Sequence, residues 1–121
     1  MRVAFFSNGL DHLGVNRIYI NNLSNWVRPF VDEAKIIRKI DDALGFDICI
    51  LSKYSKINDY KKLKQLDSKI KIGSVHPSDL NKEGINKIIF SDFFIVGSIE
   101  EQDYYLKYSS KVFRFPQLEI I

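Results

Sequence analysis

The sequence predicts an α/β domain built on a doubly wound, mostly parallel sheet. Short apolar runs alternate with longer amphipathic segments along the chain, which is the pattern of strands joined by crossover helices. The apolar runs end in small or polar residues, as strands do at the edge where a parallel sheet binds ligands. A length of 121 residues with 45% hydrophobic content suits a single domain over residues 1–121, and no apolar run is long enough to cross a bilayer.

The first strand is predicted over Val3–Phe6, which is apolar throughout and is followed by Ser7-Asn8-Gly9. A loop over Gly9–Gly14 then leads into a helix that Pro29 ends. We expect one apolar stripe of this helix to face the core. The stripe consists of Ile18, Leu23, Trp26, Val27 and Phe30.

The middle of the chain predicts two more strands and a helix. Glu33–Ile40 satisfies both strand and helix spacings, and we favour a short strand followed by a helical turn. Phe46–Leu51 is a clearer strand, and its Cys49, the single cysteine, is expected to be a buried apolar residue. A lysine-rich helix over Asp59–Leu66 follows, with Asn58 as its predicted N-cap.

The next strand, Lys69–Val75, alternates charged and apolar residues in its first half only, so its second half is expected to be buried. It leads directly to His76. A helix over Leu80–Phe90, capped by Asp79, is then predicted. Its inward residues are expected to be Ile85, Ile88 and Ile89.

The last elements are a strand over Phe93–Val96, a helix over Ile99–Tyr108 and a short strand at residues 112–115. Ser98 precedes the helix, and acidic residues beginning with Glu100 occupy its first turns. Such residues complement the positive end of a helix dipole.

Several chemistries are disfavoured by the pattern. The chain contains neither the glycine-lysine run of a P-loop nor the glycine spacing of a dinucleotide fold. Its two histidines and one cysteine do not have zinc-site spacing, so no metal site is predicted. A receiver domain would end its first strand in acidic residues, whereas this strand ends in Ser7-Asn8.

Four segments carry a family resemblance: Arg2–Arg17, Ser74-Val75-His76, Ser91–Glu101 and Val112–Pro116. In their order and spacing they resemble the N-terminal Rossmann-like domain of GT-B glycosyltransferases of the group 1, family 4-like type. The resemblance covers nearly the whole chain. It implies that the acceptor is recognised in this domain and that most nucleotide-sugar contacts are made by a second domain.

The resemblance implies a hexosyltransferase whose substrates are a nucleotide-sugar donor and a glycan or lipid-linked acceptor, with no cofactor and no metal. Retaining members carry two glutamates eight positions apart in the donor half, and no glutamate here has a second one at that distance. We therefore expect that the donor-binding C-terminal domain is absent from this chain. Alone, the chain is expected to be inactive.

The resemblance also implies the candidate site residues. His76 matches a histidine that contacts the donor sugar or phosphate and is the catalytic candidate, although a histidine that only bonds backbone would satisfy the same position. Ser98 and Glu100 are binding candidates, with an N-cap and a dipole-complementing carboxylate as the simpler interpretations. The acceptor- or donor-binding candidates are Ser7, Asn8, Gly9, Gly14, Asn16, Arg17, Ser98 and Glu100.

The basic residues are unevenly distributed. The chain has a net charge of +3, yet residues 53–71 contain seven lysines and two aspartates, a local charge of +5. This surface is either a solvated helix face or a contact for anionic lipid, which would make a cytoplasmic enzyme peripheral to the inner face of the membrane. The membrane candidates are Lys53, Lys56, Lys61, Lys62 and Lys64. Nucleic acid is not expected as a partner, because no aromatic stacking platform accompanies the lysines.

A second function class stays open from the sequence. A stand-alone flavodoxin-like or receiver-like module that acts through a protein partner would have the same alternation of strands and helices. The two hypotheses differ in the expected ligand, since only the first requires a nucleotide sugar.

Overall fold

The fold is seen in a computed structural model that describes residues 1–7, 17–75 and 82–115, with the backbone alone for residues 17, 18 and 82–85. Within these residues the chain forms one six-stranded sheet in which all neighbouring strands are parallel. The strands are β1 (Arg2–Phe6), β2 (Glu33–Ile37), β3 (Ile48–Leu51), β4 (Lys71–Val75), β5 (Phe93–Val96) and β6 (Val112–Arg114).

Four α-helices, one π-helical turn and two 3-10 turns join the strands in the described part of the chain. The helices are α1 (Leu23–Val27), α2 (Ile57–Leu66), α3 (Lys82–Phe90) and α4 (Ile99–Tyr105). A π-helical turn at Arg17–Asn22 precedes α1, and 3-10 turns lie at Arg28–Phe30 and Ile40–Ala43. The predicted α/β class is confirmed. No helix in this part of the chain has both the length and the apolar character needed to cross a membrane.

The strands lie in the order β2-β1-β3-β4-β5-β6. Val3 of β1 therefore has Ala34 of β2 on one side and Ile48 of β3 on the other. The connection from β1 to β2 runs one way along the sheet, and every later connection runs the other way. Because crossovers between parallel strands are right-handed, the first connection is expected on one face and the later ones on the opposite face.

The core residues follow this rule. The first face of the sheet carries Val3, Phe5 and Ile50, and the segment between β1 and β2 covers it. The second face carries Ala4, Phe6, Cys49, Leu51, Ile72, Phe94 and Val96. Residues from the 3-10 turn at Ile40–Ala43, α2, α3 and α4 pack on that second face. The sheet is thus doubly wound, and its strands are apolar on both sides.

Arg2 links three segments at the amino end of the sheet. Its Nε donates to Glu33 Oε2 at 2.9 Å, and its Nη1 donates to the Gly45 carbonyl at 2.9 Å. The guanidinium also lies 4.4 Å from the centre of the Phe46 ring. Gly45 has a positive φ of 89°, which a residue with a side chain rarely adopts, so a glycine is favoured before β3.

The segment between β1 and β2 differs from the predicted amphipathic helix. It opens with a π-helical turn, and the wider turn changes which side chains face the sheet. Tyr19 and Ile20 are fully buried, whereas Trp26 and Phe30 are 63% and 77% exposed. The prediction that Trp26 and Phe30 face the core is therefore wrong.

Two helix predictions also need correction. In α3, Ile89 is 73% exposed and Lys87 is only 6% exposed, although the apolar pattern predicted that Ile89 would face the core. In α2, the N-cap is Lys56 and not Asn58. The reason is that the Asp59 carboxylate accepts the Lys56 amide at 2.7 Å and so fixes the start of the helix two residues earlier.

The other helix and strand boundaries agree closely with the sequence. The 3-10 turn after β2 is the predicted helical turn. Helix α4 begins at Ile99 as predicted and ends at Tyr105, three residues early. The predicted start of α3 near Asp79 lies outside the described residues.

Gly73 makes room for an aromatic contact on the first face of the sheet. It is buried in β4, and a Cβ placed there would lie 2.3 Å from Cζ of Phe93 on the neighbouring strand. The Phe93 ring packs in turn against Phe113 of β6, with 6.2 Å between ring centres. The missing side chain at Gly73 thus allows Phe93 to lie flat across β4.

We expect Gly73→Ala to destabilise the fold by about 1–3 kcal/mol, because the new methyl group displaces the Phe93 ring. Phe93→Leu in the same chain should recover part of this loss, since the ring tip that collides is then gone. Urea unfolding of the two single variants and the double variant measures the coupling. Strictly additive losses would contradict the proposed collision.

Candidate functional site

The carboxyl ends of the strands form one edge of the sheet. Phe6 of β1 lies opposite Leu51 of β3, which lies opposite Ser74 of β4. The residues that follow these strands therefore meet at this edge. The connections after β1 and β3 leave toward opposite faces, and in open α/β sheets such a switch point creates the ligand-binding crevice. The candidate site is centred between the ends of β1 and β3.

Ser7 lies at this switch point, as predicted. It is fully buried, and its amide donates to the Ile37 carbonyl at 3.0 Å, which extends the pairing of β1 with β2. On the other side of β1, the Ser52 amide donates to the Phe6 carbonyl at 3.1 Å. The backbone at the end of β1 is thus fixed on both sides.

Several predicted site residues lie outside the described part of the chain. They are Asn8, Gly9, Gly14, Asn16 and the catalytic candidate His76. Arg17 begins the π-helical turn, and only its backbone is described. Their roles stay predictions.

Ser98 serves as the N-cap of α4. Its Oγ accepts the Glu101 amide at 3.1 Å, which is the interpretation that the sequence favoured over ligand binding. Glu100 is exposed in the first turn, where it complements the helix dipole. Both residues lie at the carboxyl edge, two strands away from the switch point.

A pair of serines follows β3, and neither was among the predicted site residues. The hydroxyls of Ser52 and Ser55 lie 3.2 Å apart and hydrogen-bond to each other, and both residues are only 1% exposed. The turn that holds them is closed by the Ser55 amide, which donates to the Ser52 carbonyl at 3.0 Å. In the sequence, the feature that could have indicated this pair is the presence of two serines three residues apart directly after a predicted buried strand.

A second buried group of hydroxyls crosses the second face of the sheet. Tyr60 Oη lies 2.8 Å from Ser74 Oγ, which in turn hydrogen-bonds to Ser91 Oγ. Ser91 Oγ lies 2.6 Å from the Lys87 carbonyl and donates to it, because a carbonyl only accepts. Ser91 must then accept from Ser74, and Ser74 from Tyr60. We call this the hydroxyl relay, and each of its three protons has an acceptor.

Lys87 connects the hydroxyl relay to the loop after β3. Its ammonium donates to the Lys53 carbonyl at 3.4 Å, next to Ser52. A buried cation is costly unless its protons are hydrogen-bonded, so this contact supports the burial of Lys87. The contact also ties α3 to the switch-point edge.

The lysines of the basic segment are divided between two environments. Lys56, Lys61 and Lys62 are exposed, and Lys62 lies 3.7 Å from Asp41. Lys53 and Lys64 are partly buried. An exposed ion pair contributes little to stability, so the outer side of α2 remains a positively charged surface.

Cys49 lies in β3 with no exposed surface. Burial raises the pKa of its thiol to about 12. A nucleophilic cysteine needs the opposite setting, an accessible thiol with a lowered pKa. The predicted role of Cys49 as a core residue is confirmed.

Comparison with known protein families, with curated proteins and with solved structures finds no match to this chain.

We expect Ser91→Ala to cost about 1–3 kcal/mol and Tyr60→Phe to cost less, about 1 kcal/mol. Removing Ser91 leaves one buried hydroxyl proton of the relay without an acceptor, whereas removing the phenol leaves every remaining proton bonded. Denaturant unfolding measures both values, with the exposed Ser68→Ala as the control. An equal or larger loss in Tyr60→Phe would contradict the direction assigned to the relay.

The raised pKa of Cys49 predicts a loss of stability in alkali. The native thiol stays protonated up to about pH 12, while the unfolded thiol ionises near its ordinary value of 9.0, so ionisation favours the unfolded chain above pH 9. The stability difference between the wild-type chain and Cys49→Ala should therefore shrink by about 1.4 kcal/mol from pH 8 to pH 10. Urea titrations at both pH values test this, and a constant difference would contradict it.

Proposed function

We propose that this chain is the acceptor-side half of a glycosyltransferase that transfers a sugar from a nucleotide-sugar donor to a glycan or lipid-linked acceptor. The observation that carries the proposal is the switch point between β1 and β3. Each segment of the family resemblance contains the carboxyl end of one strand, and these ends lie at the same edge of the sheet as the switch point. Transfer would require a second, donor-binding domain. The chain alone would bind substrate without turning it over.

In this proposal, the loop from Ser7 to Arg17 shapes the acceptor pocket. Its first residue is held at the end of β1 by the Ile37 carbonyl. His76 would face the reaction centre and hydrogen-bond to the donor sugar or phosphate. This role is supported by the pairing of Val75 with Ile95, because it brings the end of β4 to the same edge of the sheet.

The exposed side of α2 suits a peripheral contact with the cytoplasmic face of a membrane. Lys56, Lys61 and Lys62 provide positive charge on one exposed helix surface, and each lysine near an anionic membrane contributes about 1 kcal/mol. Such a contact would bring a lipid-linked acceptor toward the enzyme.

A flavodoxin-like binding module is the alternative, and the strand order favours it. The order β2-β1-β3-β4-β5 is the one in which flavin mononucleotide proteins bind their ligand at the β1/β3 switch point, and β6 extends that order by one strand. Both functions place the ligand at the same edge. The class of ligand therefore separates them.

We expect UDP-glucose or GDP-mannose to shift the backbone amide signals of Ser7, Ser52 and His76 in a heteronuclear NMR titration. His76→Ala should weaken binding about tenfold, equivalent to about 1.4 kcal/mol, because one hydrogen bond to the ligand is lost. Tyr108→Phe is the control, since Tyr108 is exposed beyond the end of α4 and is distant in sequence from Ser7, Ser52 and His76.

Flavin mononucleotide is titrated in parallel. Shifts at the switch point with flavin mononucleotide, but not with either nucleotide sugar, would replace the glycosyltransferase proposal with the flavodoxin-like one. The absence of shifts with all three ligands would contradict both.

A further inference from the structure

In the part of the chain that the structure describes, the two hydroxyl protons of the serine pair after β3 have only one acceptor. Ser52 and Ser55 share one hydrogen bond, in which either hydroxyl can donate. Whichever one donates, the proton of the other hydroxyl has no acceptor among the residues that the structure describes. Since both side chains are almost fully buried, the unpaired donor is costly unless an oxygen atom from a bound molecule accepts it.

The hydroxyl relay shows that an unpaired donor is unusual in this protein. Its members, Tyr60, Ser74 and Ser91, are also buried or partly buried, yet all three of their protons are bonded. The Lys53–Lys87 contact connects the two groups, because Lys53 follows Ser52 in the chain and the Lys87 carbonyl accepts the Ser91 hydroxyl. The serine pair is therefore the buried hydroxyl group in this region that is suited to a ligand.

The charge around the serine pair indicates which kind of oxygen atom would accept the unpaired hydroxyl proton. Residues 52–58 include Lys53 and Lys56 and no acidic residue. The ammonium of Lys87 lies against the Lys53 carbonyl, and the carboxylate of Asp59 is bonded to the Lys56 amide. Positive charge next to hydroxyl donors favours an anionic oxygen, and a phosphoryl group supplies one.

We propose that Ser52 and Ser55 bind a phosphoryl oxygen of a phosphate-ester ligand, with Lys53 and Lys87 supplying the positive potential. The inference rests on the proposed function, for which it names residues of this domain that contact the donor diphosphate in addition to those of the second domain. Because both serines are only 1% exposed, we expect an enclosed site that a small phosphate ester reaches and a headgroup held in a membrane does not.

The test measures the dissociation constants of inorganic pyrophosphate and of UDP-glucose for the wild-type chain and for Ser52→Ala/Ser55→Ala. The double variant removes both hydroxyls and leaves neither unpaired, so it is expected to fold with near wild-type stability. We expect it to bind both ligands at least tenfold more weakly. Ser110→Ala, at an exposed position after α4, is the matched control and should bind as the wild type does.

A charge variant tests the second part of the inference. Lys53→Gln removes the charge and keeps a flexible polar side chain, and it should weaken pyrophosphate binding severalfold and reduce its salt dependence. Lys69→Gln, an exposed lysine at the other end of the basic segment, serves as the control.

The result that overturns the inference is unchanged pyrophosphate affinity in the double variant, or no binding to the wild type. If UDP-glucose binds but the double variant does not weaken it, the serine assignment fails and the proposed function stands. If pyrophosphate binding depends on both serines but UDP-glucose binds no more tightly, the inference is supported and the proposed function is what fails.

Phosphate can also be presented by a lipid headgroup. Vesicles that contain phosphatidic acid provide this arm of the test. An enclosed site predicts that they do not compete with pyrophosphate, and competition would overturn the assignment to a small phosphate ester.

Discussion

The position of β1 between β2 and β3 is the constraint on which the rest of this structure depends. A parallel strand buried on both faces must bond its backbone groups on both sides, because no water reaches them. The pairing continues past the strand at both ends. Asp47 donates to the Arg2 carbonyl at the amino end, and Ser52 donates to the Phe6 carbonyl at the carboxyl end. This arrangement sends the two following connections to opposite faces and so creates the switch point.

The sequence predicted most of this architecture, because apolar runs bounded by turn residues mark buried strands clearly. The confirmed predictions include the burial of Cys49 and the N-cap at Ser98. The failures have physical causes. The prediction for Trp26 was based on the apolar spacing of a regular α-helix. The π-helical turn that precedes Trp26 has more residues per turn and therefore changes which side chains face the sheet. Ile89 matched a helical stripe, but a contact with the Lys53 carbonyl, distant in sequence, supports the burial of Lys87 in the same helix.

The candidate site was harder to predict than the fold. Strand ends are visible in a sequence, so the carboxyl edge and the position of Ser7 directly after β1 could be predicted. Hydrogen bonds between hydroxyls on different strands and helices are not visible in a sequence. A serine or tyrosine reads the same whether its hydroxyl faces solvent or another hydroxyl. Ser74 looked like a small residue in a buried strand, and its place between Tyr60 and Ser91 depends on how α2 and α3 pack on the second face.

The parallel pairing also has a consequence for how this chain folds. No two neighbouring strands form a hairpin, and the pairing of Val3 with Ile48 closes a loop of about 45 residues. Contacts between residues so distant in sequence slow folding, since the entropy of loop closure is lost before the contacts form. During synthesis, β1 emerges first but cannot complete its pairing until Leu51 has also emerged. Strand β1, which lies second from the edge of the sheet, is thus the first strand to be made and has to wait for its second neighbour.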